Sequence, residues 1–509
     1  MASESIGYSK AARFKNLLRL LLGNRMSSTG IILLVFFGII AVGAPVLTNS
    51  DPVNEVVAGQ RAQPEWVMFF PEGDTLSRNL LWSTDPAFVK PETASEWQFS
   101  HATPPASVSL GKTYDPIETR PGIVGGGAGS LKISYQNTAG TPLTQVFSIQ
   151  RTVNYPYKGP PGRYAATYSF LVNGLEGNET IAVDLILSQP TGSRFKVFSF
   201  TLYSGNNSKW IDNRSIDSGA DEYRRAIGLQ ASTISPTEIA FPVPGEYSFV
   251  FQFSLLDNGN ANPKQVTLNI DNLNMKLFGT AFGLLGTDAQ GRDLLAQLIY
   301  GARISLIVGL AAALLGIAIG LFLGLVSGYI GGVLDEVVMR FTDMLLTIPG
   351  LPLILILIAV LSKQGSTLPI FIIVIGGLGW MGFARLVRSQ VLSLRERPFI
   401  EAAKASGAGT GHVIVNHIFP NIVGLTYVNL ALAVPGAILS EAALSFLGLY
   451  DPTTMSWGRI LFNAQFENGL GQWAWVIPPG VSIALISLSF VMLGYALDDI
   501  FNPRLRRRR

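Results

Sequence analysis

The chain of 509 residues has no cysteine, only three histidines, and charged side chains at just 14% of its length. Without thiols there is no disulfide framework, no thiol nucleophile and no Cys-ligated zinc or iron–sulfur centre. His101, His412 and His417 are too few for a His-rich metal centre. Soluble globular proteins carry about 25% charge, so a wholly soluble enzyme is excluded as well. The net charge of +3 is too small to argue for nucleic acid as a partner. No Gly-x-x-x-x-Gly-Lys-Ser/Thr phosphate loop is present, so the chain lacks that means of holding ATP.

What it has instead is apolar length. Charge-free windows run over 26–50, 304–334, 344–362, 364–384, within 405–440, and over 468–497. Roughly 20 helical residues cross the roughly 30 Å hydrocarbon core. Each window therefore predicts one span, the fifth at 421–440 and the last at 473–495. The first is too long for a secretory signal and lacks a convincing cleavage site. The expected fold is a polytopic α-helical membrane protein with six transmembrane helices. Lys10, Arg13, Lys15, Arg19 and Arg25 precede the first window, and Arg504 with residues 506–509 follows the last. Arg385, Arg388, Arg395, Arg397 and Lys404 separate the fourth and fifth, whereas Lys363 and Arg459 stand alone in the other short connections. The positive-inside rule then puts both termini and residues 385–420 in the cytoplasm, and residues 51–284 outside it.

Residues 51–284 do not read as membrane. Pro104, Pro105 and the glycines 125–127 punctuate 51–130, which predicts irregular chain. From 131 to 278 apolar residues alternate, most clearly at Tyr247, Phe249, Phe251, Phe253 and Leu255. Val266, Leu268 and Ile270 alternate likewise, and Leu273, Met275 and Leu277 resume one residue out of phase. That phase change predicts a β-bulge near Asp271 and Asn272. Seven or so short strands imply an all-β sandwich, jelly-roll-like, inserted between helices 1 and 2. Its last strand resembles the closing strand of carbohydrate-binding jelly rolls, but a structural or docking role stands ahead of sugar binding. The domains expected are 1–50 (cytoplasmic N-terminus and first helix), 51–130, 131–278, and 285–509 with the remaining five spans.

In the second span Gly316, Gly320, Gly324 and Gly328 recur at every fourth residue, a helix-packing face that admits close approach of a partner helix. Pro349, Pro352 and Pro435-Gly436 predict kinks. Thr287-Asp-Ala-Gln290 fits a capping box, and Glu441 reads as an interfacial charge.

The stretch Glu401-Ala-Ala-Lys-Ala-Ser-Gly407 predicts a short amphipathic helix ended by Gly407-Ala-Gly409. Ala402, Ala403 and Ala405 leave a smooth surface for another protein. The segment resembles the cytoplasmic loop of ABC importer permeases, where Gly follows Glu-Ala-Ala at the spacing of Glu401 to Gly407 and Pro at the spacing of Glu401 to Pro420. Asn416-His-Ile-Phe-Pro-Asn421 is similar to the dipeptide and oligopeptide (nickel) branch. So are the stretches at 285–293 with Gly301-Ala-Arg-Ile-Ser305, and at 440–448 with Ser456-Trp-Gly458. The insertion at 51–284 departs from the family's short loop.

The resemblance implies a permease subunit of a binding-protein-dependent importer in the cell (plasma or inner) membrane, carrying a peptide-like solute. It implies no enzyme activity and no cofactor bound by this chain, ATP and Mg being used by two cytoplasmic ATPase subunits. The other implied partners are a second homologous permease, an extracytoplasmic solute-binding protein and membrane lipid. Glu401, Ala402, Ala403, Gly407 and Pro420 would be the ATPase-coupling residues. The alternatives are the same importer class carrying oligosaccharide or nickel, or a membrane-anchored glycan- or partner-binding surface protein.

Overall fold

The computed structural model describes residues 23, 25–83, 85–116, 129–227, 229, 234–259, 263–361 and 367–501. Lys10, Arg13, Lys15, Arg19, the glycines 125–127, Lys363, Arg504 and residues 506–509 lie outside the described residues. Two compact units are present, Val56–Asp293 and the remainder of the chain.

Val56–Asp293 is built on two antiparallel sheets. One has the order β3 (Val108–Asp115), β4 (Ser130–Asn137), β11 (Lys264–Phe278), β6 (Arg163–Asn173), β9 (Trp210–Asp217), with β1 (Leu80–Leu81) also on β11. The other runs β2 (Gln98–His101), β5 (Leu143–Tyr155), β10 (Gly245–Asp257), β7 (Thr180–Ser188), β8 (Arg194–Tyr203). Alternation explains why the sheets stack, since successive side chains in a strand point to opposite faces. Tyr247, Phe249, Phe251, Phe253 and Leu255 all face inward and are buried. Phe253 stacks on Phe147 with centroids 5.2 Å apart and meets Phe170 of the opposite sheet at 6.0 Å. The register of β11 against β6 shifts between Asp271 and Asn274, with Asn272 at φ 54, so one bulge keeps both Ile270 and Leu273 in the core.

The segment 51–130 is not irregular throughout, as its prolines and glycines suggest. It supplies β1, β2 and β3. β1 and β2 are two and four residues long, too short for alternation to register. β3 is held by its ladder to β4, a partner that cannot be read from its own residues.

The membrane unit contains α1 (Arg25–Leu47), α2 (Leu294–Ile330), α3 (Gly332–Thr347), α4 (Gly350–Leu361), α5 (Thr367–Leu378), α6 (Met381–Arg395), α7 (Pro398–Ala405), α8 (Phe419–Phe446), α9 (Trp457–Phe466) and α10 (Trp473–Phe501). Among the described residues five stretches are long and apolar enough to cross a bilayer: Arg25–Leu47, Leu294–Ile330, Leu368–Arg395, Thr410–Phe446 and Trp473–Ile500. The window 344–362 does not form one straight helix. α3 and α4 meet at a 91° bend and qualify only together. Pro349 accounts for the break, because a residue before proline is pushed out of helical geometry; Ile348 sits at φ −80, ψ 131. Pro435, by contrast, lies inside α8, which runs on to Phe446.

α2 is the central helix, packed against α1, α5, α6 and α8, while α10 packs on α1 and α8. Arg388 of α6 grips Asp335 of α3 with two hydrogen bonds of 2.5 and 2.6 Å, and Arg385 pairs with Asp343. Both arginines, which the sequence reading sets between the fourth and fifth spans, stand on α6.

Candidate functional site

α7 begins at Pro398, whose fixed φ and missing N–H suit the first helical position. Glu401 lies in its first turn, at the positive end of the helix dipole. The helix closes on a Schellman pair: Ala408 N–H donates to Ala403 O at 3.1 Å and Gly407 N–H to Lys404 O at 3.0 Å. That closure puts Gly407 at φ +82, and a Cβ there would meet nothing within 4 Å. The need for glycine at 407 is thus conformational, not steric.

The three alanines do not share one face. Ala402 and Ala405 are exposed beside Glu401 and Gly407. Ala403 is half-buried against the cluster of Val391, Ile400, Val413, Ile418 and Ile422. Pro420 opens α8 between Ile418 and Ile422, so its turn and α7 rest on the same apolar cluster. Lys404 sets its ammonium 5.3 Å over the Tyr329 ring at the end of α2. Thr410–Val413 and a π turn at Ile414–Ile418 lead into α8, where the His412 and His417 rings lie 5.7 Å apart and Asn416 Nδ2 is 2.9 Å from His412 Nδ1.

The glycine ladder faces α5 and α6. A Cβ on Gly320 would lie 2.7 Å from Trp380 O, and one on Gly324 would lie 2.7 Å from Ala384 O and from Val387 Cβ. On Gly316 and Gly328 the nearest atoms would be Gly376 O at 3.1 Å and Val391 Cβ at 2.8 Å. Helix backbones therefore approach where side chains would hold them apart.

At the α3–α4 elbow lies a cavity of about 450 Å³. Ala312 and Gly316 of α2, Ile348 and Gly350 at the elbow, and Gly436 and Ser440 of α8 contribute to its wall, which holds no charged side chain among the described residues. The Ser440 hydroxyl is already donated to Gly436 O at 2.8 Å.

Two local features differ from their sequence reading. Glu441 is not an interfacial charge: it is buried, accepting from Ser305 of α2 at 3.1 Å and Ser445 of α8 at 2.7 Å. Thr287 does not cap a helix. Its hydroxyl donates to Gly59 O at 2.6 Å and accepts from Ala62 N–H at 2.8 Å, while Asp288 accepts from Gln290 N–H and Arg292 N–H, both at 2.9 Å. The motif at 285–293 builds a turn, and α2 starts only at Leu294. Spacing and composition announced neither arrangement, because Ser305, Gly59 and Ala62 are distant in sequence from the residues they bond.

Comparison with known proteins supplies the context for this geometry. Residues 292–507 match the family described as binding-protein-dependent transport system inner membrane component. The oligopeptide transport system permease protein OppC of Haemophilus influenzae is 38% identical over 224 residues, 44% of this chain and 71% of that protein. OppC of Salmonella typhimurium is 41% identical over 220 residues, covering 43% and 72%. The dipeptide transport system permease protein DppC of Bacillus subtilis is 40% identical over 224 residues, covering 44% and 69%. A solved galactotriose-bound module is similar to 39% of this chain and 98% of its own at 15% identity, but its TM-score of 0.21 supports no ligand for the β unit.

Proposed function

Because this chain belongs to the binding-protein-dependent transport inner membrane components, as the permease subunit of an ATP-driven peptide importer, we propose how its parts divide the work. It is a multi-pass inner membrane protein and not an enzyme. Membership implies ATPase subunits that supply the energy and a solute-binding protein that delivers the peptide. A second permease completes the path, six spans counting the broken α3–α4 pair place both termini in the cytoplasm, and the β unit lies outside. ATP and Mg are handled by the ATPases, and this chain binds no cofactor.

The observation that carries the coupling reading is α7. Its exposed side, Glu401, Ala402, Ala405 and Gly407, is small enough for close seating in an ATPase cleft. Its inner side, Ile400 and Ala403, is fixed to the cluster that also anchors the start of α8. A push on the exposed side would reach α8 as rigid-body motion, since packed side chains transmit displacement. α8 in turn forms part of the cavity wall through Gly436 and Ser440.

The cavity is the segment of the path this subunit contributes. Its described wall is almost wholly apolar and offers few polar groups with which to read peptide side chains, which leaves selection to the solute-binding protein. Reconstitution tests the whole reading: uptake of a labelled peptide into proteoliposomes should require this chain, a second permease, the ATPases and ATP together. Uptake without ATPases, or no recovery of ATPases with the chain, would overturn it.

A further inference from the structure

The chain enters and leaves the β unit through a strap bonded to itself. Val57 and Ala58 N–H both donate to Gly291 O, at 2.8 and 3.2 Å. Gly59 N–H donates to Gly279 O, Arg61 N–H to Asp288 O and Gln63 N–H to Thr280 O, each at 2.8 Å. Glu65 N–H donates to Gly283 O at 2.9 Å, and Phe282 N–H returns a bond to Gln63 O at 2.8 Å. In sequence the strap leads to α1, which ends at Leu47, and to α2, which starts at Leu294. Leu284 is ten residues from Leu294, a contour of at most about 35 Å. The strap is thus the part of the β unit joined in sequence to membrane-crossing chain at both of its ends.

The strap carries an exposed apolar patch. Phe69 is 81% exposed, Leu284 63%, Phe70 56% and Trp66 40%. The Trp66 and Phe70 rings meet edge to face with centroids 6.2 Å apart, and the Trp66 indole N–H donates to Leu284 O at 3.1 Å. Both halves of the strap are thereby joined in one patch. Its one polar side-chain group, that N–H, is already donated. An occupant that offers apolar contact and asks for no hydrogen bonds fits it, and Trp, Phe and Leu are the side chains that interfacial amphipathic helices lay about 5–10 Å into the headgroup–acyl boundary.

We propose that Trp66, Phe69, Phe70 and Leu284 dock into the interfacial layer of the lipid bilayer and anchor the base of the β unit to the membrane from which its two chain ends emerge. The proposal rests on the reading of the chain as a membrane-embedded permease; which leaflet receives the patch is measured separately.

The absence of cysteine lets a single one be introduced. In the full chain, assembled with its transport partners in lipid nanodiscs, Phe69→Cys carries an environment-sensitive fluorophore. It is challenged with lipids bearing a nitroxide at shallow acyl depth, and with aqueous iodide. Tyr203→Cys is the control. Tyr203 is 57% exposed and close in sequence to Asn207, which bridges to Val172 near the Asn173 end of β6. The strap meets β6 at its other end, where Gly162 N–H donates to Phe278 O, so the eleven-residue strand separates them by roughly 33 Å. Nitroxide lipid should abolish most emission from the Phe69 site and iodide little, with the reverse at Tyr203. Iodide quenching at both sites, or equal lipid quenching at both, would overturn the proposal. So would shielding at Phe69 from both quenchers that is relieved by removing the partner proteins. If Phe69→Cys fails to assemble, Phe70→Cys serves the same measurement. Labelling of Tyr203→Cys by an impermeant maleimide in intact cells reports sidedness, so failure of the topology is distinguishable from failure of lipid docking.

Discussion

Ser305 of α2 donates its hydroxyl to the carboxylate of Glu441 on α8 at 3.1 Å, and both residues are buried. Residues 136 apart in sequence are joined by this bond, which ties α2 to α8. Glu441→Leu would take away the acceptor to which the Ser305 and Ser445 hydroxyls donate, at about 1–3 kcal/mol each. Less permease should accumulate in membranes, and the purified complex should melt at lower temperature. Glu441→Gln keeps the shape and one acceptor and should stay near the parent. A Gln variant as damaged as the Leu variant would show that the charge matters and the hydrogen bonds do not.

Substitutions on α7 should separate by face. Ala402→Arg places bulk and charge on the exposed side, so the permease should insert normally yet lose ATPase co-purification and uptake. Ala403→Arg forces a cation against Ile400 and Val413 and should instead lower the amount of folded chain. Normal uptake by Ala402→Arg would remove α7 from the coupling role.

Gly407 gives a cleaner separation, because open space surrounds its Cβ position. Gly407→Val must pay for positive φ with a β-branched side chain, roughly 1–2 kcal/mol. Gly407→Asn tolerates that region better and should retain more uptake. Equal uptake in the two variants would mean that the Schellman closure is not needed for coupling.

The glycine ladder predicts a position-specific cost. Gly324→Ala would push a methyl to 2.7 Å from Ala384 O, whereas the Cβ of Gly377→Ala would meet nothing within 4 Å. Overpacking of that kind costs typically about 1–3 kcal/mol. Thermal unfolding of the detergent-purified chain should show a clear drop for Gly324→Ala and almost none for Gly377→Ala.

The β unit should lose stability in acid partly through Asp257. Burial alone would raise its pKa, but hydrogen bonds from Asn137 Nδ2 at 2.9 Å, Gly259 N–H at 2.9 Å and Tyr135 Oη at 2.7 Å hold it below the ordinary carboxylate value. A value depressed in the folded state stabilises above the unfolded pKa of about 3.9, and that contribution disappears as pH falls through the folded value. Protection of the β10 amides, taken relative to their intrinsic exchange rates at each pH, should therefore fall in acid, and Asp257→Asn should flatten this dependence while lowering protection at neutral pH. An unchanged acid response in the variant would count against it.

The apolar windows, the alternation along β10, the phase change in β11 and the Glu401–Gly407 spacing were legible in the residues alone. Each is a local repeat, and periodicity records which side of an element is apolar whatever lies opposite. The partner that side meets depends on contacts far apart in the chain, and these only the tertiary structure decided. Ala62 and Thr287 bond across 225 residues, which turned an apparent capping box into part of a strap. Glu441 reads as an interfacial charge until Ser305 and Ser445 are seen beside it. The three alanines of α7 look alike in sequence, yet Val391 and Val413 claim Ala403 for the interior and leave Ala402 free. Hydrophobicity sets which segments bury, and the packing of distant segments sets which atoms of them remain available for chemistry.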